Sequence, residues 1–139
     1  MMASEVKHYL HRARDFLKGM DLLREDPTVY RYSAALLGIH AAISYCDALR
    51  IGMGSESLAS ENHQSVSDEL RELLSGRKFK ELGGVNRLGR LLAKKSRIAY
   101  SPEASSEDEI KDIVQRAERF AAWAEITGAA LKIGGWSDD

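Results

Sequence analysis

At 139 residues the chain suits a single domain and can bury a core without disulfide or metal staples. A composition of 44% hydrophobic and 29% charged residues with two prolines excludes an extensively disordered chain, and a net charge of −1 excludes attraction of the whole molecule to nucleic acid or a membrane surface. One cysteine, Cys46, excludes an internal disulfide and fits a reducing cytoplasm.

The N-terminal stretch MMASEVKHYL is charged and amphipathic and lacks the apolar centre of a signal peptide. No uninterrupted apolar run reaches the length of a membrane span, so a cytoplasmic chain with no membrane partner is expected. A first helix is predicted from about Ser4, its N-cap, to Leu23, with Val6, Tyr9, Leu10, Ala13, Phe16, Leu17 and Met20 on one face. Asp26-Pro27 then gives a start signal, an N-cap followed by a proline at the first helical position.

The second predicted helix, about Pro27 to Ile51, is apolar over most of its circumference and is therefore expected at the centre. Val29, Tyr32, Leu36, Ile39, Ile43 and Cys46 form a large apolar stripe. Ala34, Gly38, Ala41, Tyr45 and Ala48 form a second stripe, mostly of small residues. Only Ser33, His40, Ser44 and Asp47 make a polar seam. Gly52-Met53-Gly54 closes the helix. A shorter helix, about Asn62 to Leu74, presents Val66, Leu70 and Leu73 and stops at Ser75-Gly76.

The fourth helix spans about Leu82 to Tyr100, with Leu88, Leu91, Leu92, Ala99 and Val85 facing inward and Ser101-Pro102 ending it. The fifth opens with a capping box, Ser106 with Glu109, followed by Ile110, Ile113, Val114, Ala117, Phe120, Ala121 and Ala124 on its buried face. It is expected to run to Gly134-Gly135, leaving a tail frayed at about 134–139 unless Trp136 folds back. No stretch alternates with period two, so no strand is expected. The pattern predicts an all-α fold: one domain over 1–139, an up-and-down antiparallel bundle of four main helices plus one shorter helix.

Charge is unevenly placed. From Arg77 to Arg97 eight basic residues accompany one acid, Glu81, so this stretch carries +7 and the remainder about −8. Arg87, Arg90, Lys94 and Arg97 are spaced 3, 4 and 3 and share one helix face, a ridge roughly 15 Å long at the helical rise. Such a ridge suits phosphates and a salt-dependent affinity; the alternative is a solvated face neutralised by acids such as Asp68, Glu69, Glu72 and Asp112. Arg97 and Tyr100, one turn apart, either clamp a phosphate or stack and cap the helix.

In the seam, His40, Ser44 and Asp47 fall at i, i+4 and i+7, a spacing along one helix that does not make a proton relay; a satisfied polar line, which His63 either meets or leaves for the surface, is the reading preferred. His8 and His11 are expected to be exposed, no HExxH or CxxC spacing supports a metal, and no glycine fingerprint for a cofactor follows a strand.

Tyr32-Ser33-Ala34-Ala35, Ile39-His40-Ala41-Ala42, the closing Gly52, His63, the end Ser96-Arg97-Ile98-Ala99-Tyr100-Ser101, and Ile113, Ala117 and Phe120 together resemble a HEPN (higher eukaryotes and prokaryotes nucleotide-binding) domain over about Glu5 to Glu125. The resemblance implies a helical bundle, commonly a homodimer, often paired with a minimal nucleotidyltransferase partner in toxin–antitoxin operons. Many members are ribonucleases using an Arg followed four to six residues later by a His. Arg97 and Tyr100 match the Arg…Tyr end of that helix, but no histidine occurs from Gln64 to Asp139. The resemblance therefore implies binding of nucleotide, RNA or a protein partner without catalysis. The alternatives are a divergent ribonuclease with His40, His63 or Tyr100 as base, and a helical dimerisation protein without ligand.

Overall fold

The computed structural model describes residues 2–26, 28–55 and 63–137, with the side chains of Met2, His63 and Gln64 outside that description. Five helices follow in order: α1 (Met2–Leu23), α2 (Arg31–Gly52), α3 (His63–Gly76), α4 (Gly83–Tyr100) and α5 (Glu107–Ala130). Among the described residues there is no strand.

The helices form a bundle around α2, which packs against all four of the others. Ala34, Gly38, Ala41, Tyr45 and Ala48 are all buried, as are Ala35, Ala42 and Leu49. Small residues on that side let neighbouring backbones come close. A Cβ built on Gly38 would lie 2.8 Å from Met20 Sδ of α1 and 2.9 Å from Ala117 Cβ of α5, so both flanking helices meet α2 at this point. Ile39, Leu49, Leu70, Leu88, Leu91, Ile113 and Phe120 fill the core. By length and composition α2 alone, among the described residues, is apolar enough to cross a membrane, yet 72% of that window is buried inside the bundle.

Several helix ends fall elsewhere than their sequence signals place them. The chain enters α1 at Met2, so Ser4 lies inside the first turn and is not its cap. Pro27 lies outside the described residues, and Asp26 builds a turn: its carbonyl accepts from the amides of Val29 and Tyr30, and its carboxylate from Thr28 Oγ1. α2 therefore starts at Arg31, with Tyr30 at a cap position that has no side-chain hydrogen bond. Val29, ahead of the helix, is 63% exposed, and Tyr32 in its first turn is 38% exposed; neither belongs to the buried stripe. In α4, Ala99 is exposed and Ile98 is buried in its place.

Three helices leave by the same device. After α2 the amide of Ser55 donates to Arg50 O and that of Gly54, at φ +102°, to Ile51 O. After α3, Phe79 and Lys78 donate to Leu74 O and Ser75 O; after α5, Ile133 and Lys132 donate to Gly128 O and Ala129 O. Each is a Schellman closure, which needs one residue in the left-handed region. Only α2 supplies glycine there; Lys78 sits at φ 61° and Lys132 at φ 54°. The closure of α5 comes at Ala130, before Gly134-Gly135, and turns the chain back. Trp136 is buried at 4% with its ring on Gly128, so at this residue the tail is packed rather than frayed. A second indole, Trp123, covers Gly84 in the first turn of α4, packs at 5.4 Å from the Phe120 ring, and donates from Nε1 to Glu81 O.

Candidate functional site

Helix α4 lies against α2, α3 and α5. Its inward residues Gly84, Val85, Leu88, Leu91, Leu92 and Ile98 define one side, and helical geometry sends Arg87, Arg90, Lys94 and Arg97 to the opposite side. Arg90 is exposed and the other three are partly so. The four cations thus stand along one outer edge of the bundle.

They do not stand there equally. Arg97 Nε donates to Glu109 Oε2 at 2.8 Å, and Lys94 Nζ approaches the same oxygen at 3.5 Å. Arg97 Nη1 also lies 4.0 Å from Glu103 Oε2. The hydrogen bond from Arg97 holds the Glu109 carboxyl below its usual pKa, and the carboxylate in turn raises that of Arg97. Lys94 and Arg97 thus share Glu109, with Glu103 at the outer limit of ion-pair distance from Arg97. Arg87 and Arg90 have no hydrogen bond or ion pair among the described residues. The acids expected to neutralise the ridge are engaged elsewhere in part: Glu69 accepts from Arg50 and Asp112 from Arg116.

The carboxylate of Glu109 also explains why the capping box forms only by half. Ser106 Oγ accepts from the Glu109 amide at 3.1 Å, but the Glu109 side chain turns to α4. Around this ion pair the loop before α5 is fastened to the start of α2. Tyr32 accepts from the Ser105 amide at 2.9 Å, and Arg31 Nη1 donates to the Ser105 carbonyl at 3.2 Å. Tyr100 stands apart, 81% exposed, with no hydrogen bond or ring contact to Arg97 among the described residues. A preformed clamp between Arg97 and Tyr100 is absent from these residues.

The polar seam of α2 is divided. Ser33 is exposed and His40 and Asp47 are partly so, but Ser44 is buried at 4%. The Asp47 carboxylate lies 3.4 Å from Arg50 Nη1, not beside the imidazole. His40 packs on Phe16, ring centroids 5.7 Å apart. Burial first, and then the charge of Lys95, lower its pKa from the ordinary imidazole value. His40, Ser44 and Asp47 do not converge, and the side chain of His63 lies outside the described residues. Among the described residues no group of three or more His, Cys, Asp or Glu side chains is placed to hold a metal ion.

Two interior networks escaped the sequence reading. Arg50 is 1% exposed and donates from Nε to Glu69 Oε1 at 2.6 Å, joining α2 to α3. Its signal was present: Arg50 continues the i, i+3, i+4 progression Ile39, Ile43, Cys46 along a buried side. Arg14 clasps Glu125 with two hydrogen bonds of 2.8 and 2.9 Å, and the Tyr45 hydroxyl donates to Glu125 Oε2 at 2.8 Å, so α1, α2 and α5 meet on one carboxylate. Burial opposes ionisation of Glu125, but the bonds from Arg14 and Tyr45 outweigh it and its pKa falls. Burial, and then the bond to Glu125, push the Tyr45 phenol well above its usual range.

Set beside known proteins, the chain matches no family model, no characterised protein and no solved structure.

Proposed function

We propose that the chain is a non-catalytic, HEPN-like helical module, an up-and-down antiparallel bundle that binds RNA or a nucleotide through the outer face of α4. The observation that supports this most is the pair Arg87 and Arg90, without carboxylate partners among the described residues, in line with Lys94 and Arg97, which share Glu109. Guanidinium groups left without acids on an exposed helix face are suited to phosphate oxygens. Their spacing allows more than one phosphate to be held at once, and affinity then falls with salt.

Catalysis is left out of the proposal on chemical grounds. Metal-independent RNA cleavage needs a group that moves the 2′-hydroxyl proton. His40 is packed on Phe16 along α2 and is not part of the α4 ridge, and no histidine follows Gln64.

Titration of labelled single-stranded RNA, and of ATP, at two salt concentrations tests the reading. The double substitution Arg90→Glu/Lys94→Glu should weaken binding and lower the slope of log affinity against log salt by about 1.4, the value for two single-strand phosphate contacts. No affinity for either probe, or affinity unchanged by the double substitution, overturns it.

A further inference from the structure

The molecule also has a concave feature, lined by no residue of α4. A cleft of about 490 Å3 opens where the end of α1, the first turn of α2 and the first half of α5 come together. Ala34, Ile110 and Val114 line its apolar part, and Arg24, Arg31, Asp108, Lys111, Asp112 and Gln115 line the rest. A cleft of this size with an apolar wall and a few polar groups is the usual form of a small-molecule site.

The charges around it can be sorted by what each already holds. Arg24 is paired with Glu118 and with Asp21. Lys111 Nζ lies 3.5 Å from Glu107 Oε1. Asp112 accepts from Arg116 Nε at 2.8 Å. Asp108 stands in the acidic first turn of α5, where a carboxylate meets the positive end of the helix. Arg31 is left. Its one hydrogen bond among the described residues is from Nη1 to the Ser105 carbonyl, so most of its five N–H donors are uncommitted, and no carboxylate neutralises it.

The backbone adds to the same bias. Arg31 is the first residue of α2, whose first turn has no acidic residue and whose cap position has no side-chain hydrogen bond. The first turn of α2 thus has no acid and no side-chain cap of its own beside a guanidinium without an ion pair, in contrast to α5, which opens with Glu107, Asp108 and Glu109 and is capped by Ser106. Helix polarity and side-chain charge both favour an anion at the Arg31 end of the cleft, and Ile110 and Val114 favour an apolar body.

We propose that this cleft binds a small amphiphilic anion, a single carboxylate or phosphate monoester held by Arg31, with its apolar body against Ala34, Ile110 and Val114. Arg31 supplies a forked donor pair matched to two oxygens of either group. Its bond to Ser105 fixes the guanidinium before the ligand arrives, which reduces the ordering cost of binding. None of the four ridge cations lines the cleft, so substitutions on α4 and at Arg31 separate binding at one from binding at the other.

Methyl-resolved NMR of the 15.5 kDa chain tests this with three probes: phenylacetate, phenyl phosphate and the uncharged 2-phenylethanol. Both anions should shift the Ala34, Ile110 and Val114 methyl signals saturably, and the alcohol should bind about tenfold or more weakly. Tighter binding of phenyl phosphate identifies a phosphate monoester as the ligand class, and tighter binding of phenylacetate a carboxylate. Arg31→Gln should bring the anions down to the level of the alcohol. Arg31→Lys, which keeps the charge, should retain part of the anion preference and shows that the cleft is intact. Absence of saturable shifts, equal binding of alcohol and anions, or anion binding unchanged in Arg31→Gln overturns the proposal. Shifts abolished by Arg90→Glu would place the anion on α4, overturning the cleft while leaving the function proposed for α4 standing.

Discussion

Gly128 and Trp136 offer the sharpest test of how the end of the chain is held. The Trp136 ring lies where a Cβ on residue 128 would stand, against Cε2 and Cδ2, so Gly128→Ala must move the indole. A tryptophan buries 150–250 Å2, worth about 4–6 kcal/mol at 25 cal/mol per Å2. Residual burial in the unfolded chain reduces this to about 3–5 kcal/mol, the range of measured Trp→Ala losses. Against it stands about 1 kcal/mol from the better helix propensity of alanine. Gly128→Ala should therefore destabilise the protein by about 2–4 kcal/mol when Trp136 is present. In a Trp136→Ala background the clash is gone, and the same substitution should stabilise by about 1 kcal/mol. Urea unfolding followed by far-UV circular dichroism on the four proteins of this cycle measures both effects. The reversal of sign is the decisive feature. If Gly128→Ala destabilises equally in both backgrounds, or in neither, the indole does not rest on Gly128 and the account of the tail is wrong.

Two further expectations concern backbone and charge. Lys132→Gly and Lys78→Gly should each raise stability by about 1 kcal/mol, because each removes a side chain from a left-handed conformation that a Schellman closure requires. Unchanged or lower urea midpoints would show that these lysines adopt another backbone. Glu125→Gln should flatten the acid limb of the stability curve. The Glu125 pKa lies below its usual 4.5, so its stabilisation is complete above about pH 4.5 and is lost as pH falls through the lower folded value. Urea midpoints measured between neutral and acid pH should converge for the two proteins at the acid end; parallel curves would remove the Arg14–Glu125–Tyr45 clasp as their cause.

The legible parts of the fold were those set by periodicity. Ile110, Ile113, Val114, Ala117, Phe120, Ala121 and Ala124 all proved buried, because a continuous stripe on a long helix has only one way to face a core. The helix starts were less legible. Asp26 carries a strong N-cap signal, but Asp and Thr side chains make turns of the same hydrogen bonds that make caps, and here Thr28 and the Tyr30 amide bind Asp26 first. The capping box at Ser106 and Glu109 was half right, since an arginine on another helix competes for the same carboxylate. The burial of Arg50 could be read from the spacing along α2, but its partner could not, because Glu69 belongs to another helix.

At the candidate site the placement of the four cations on one side could be read from their 3, 4, 3 spacing. Their unequal engagement could not. Whether Lys94 or Arg87 meets an acid depends on where α5 crosses α4, a fact of packing rather than of local sequence. The cleft at Arg31 was invisible for the same reason: its walls come from three helices.

The burial of α2 bears on how the chain can vary. Thirteen of its 22 residues are buried, and a side chain enlarged at Gly38 or the alanines near it would push α1 or α5 away. Substitutions that leave stability untouched are thereby confined to the few positions of α2 that face solvent, Ser33 foremost, since Leu36 and Ile43 pack against the core and His40 rests on Phe16. Ser33 held fixed through divergence would owe its retention to something the protein meets, since the packing makes so small a claim on it.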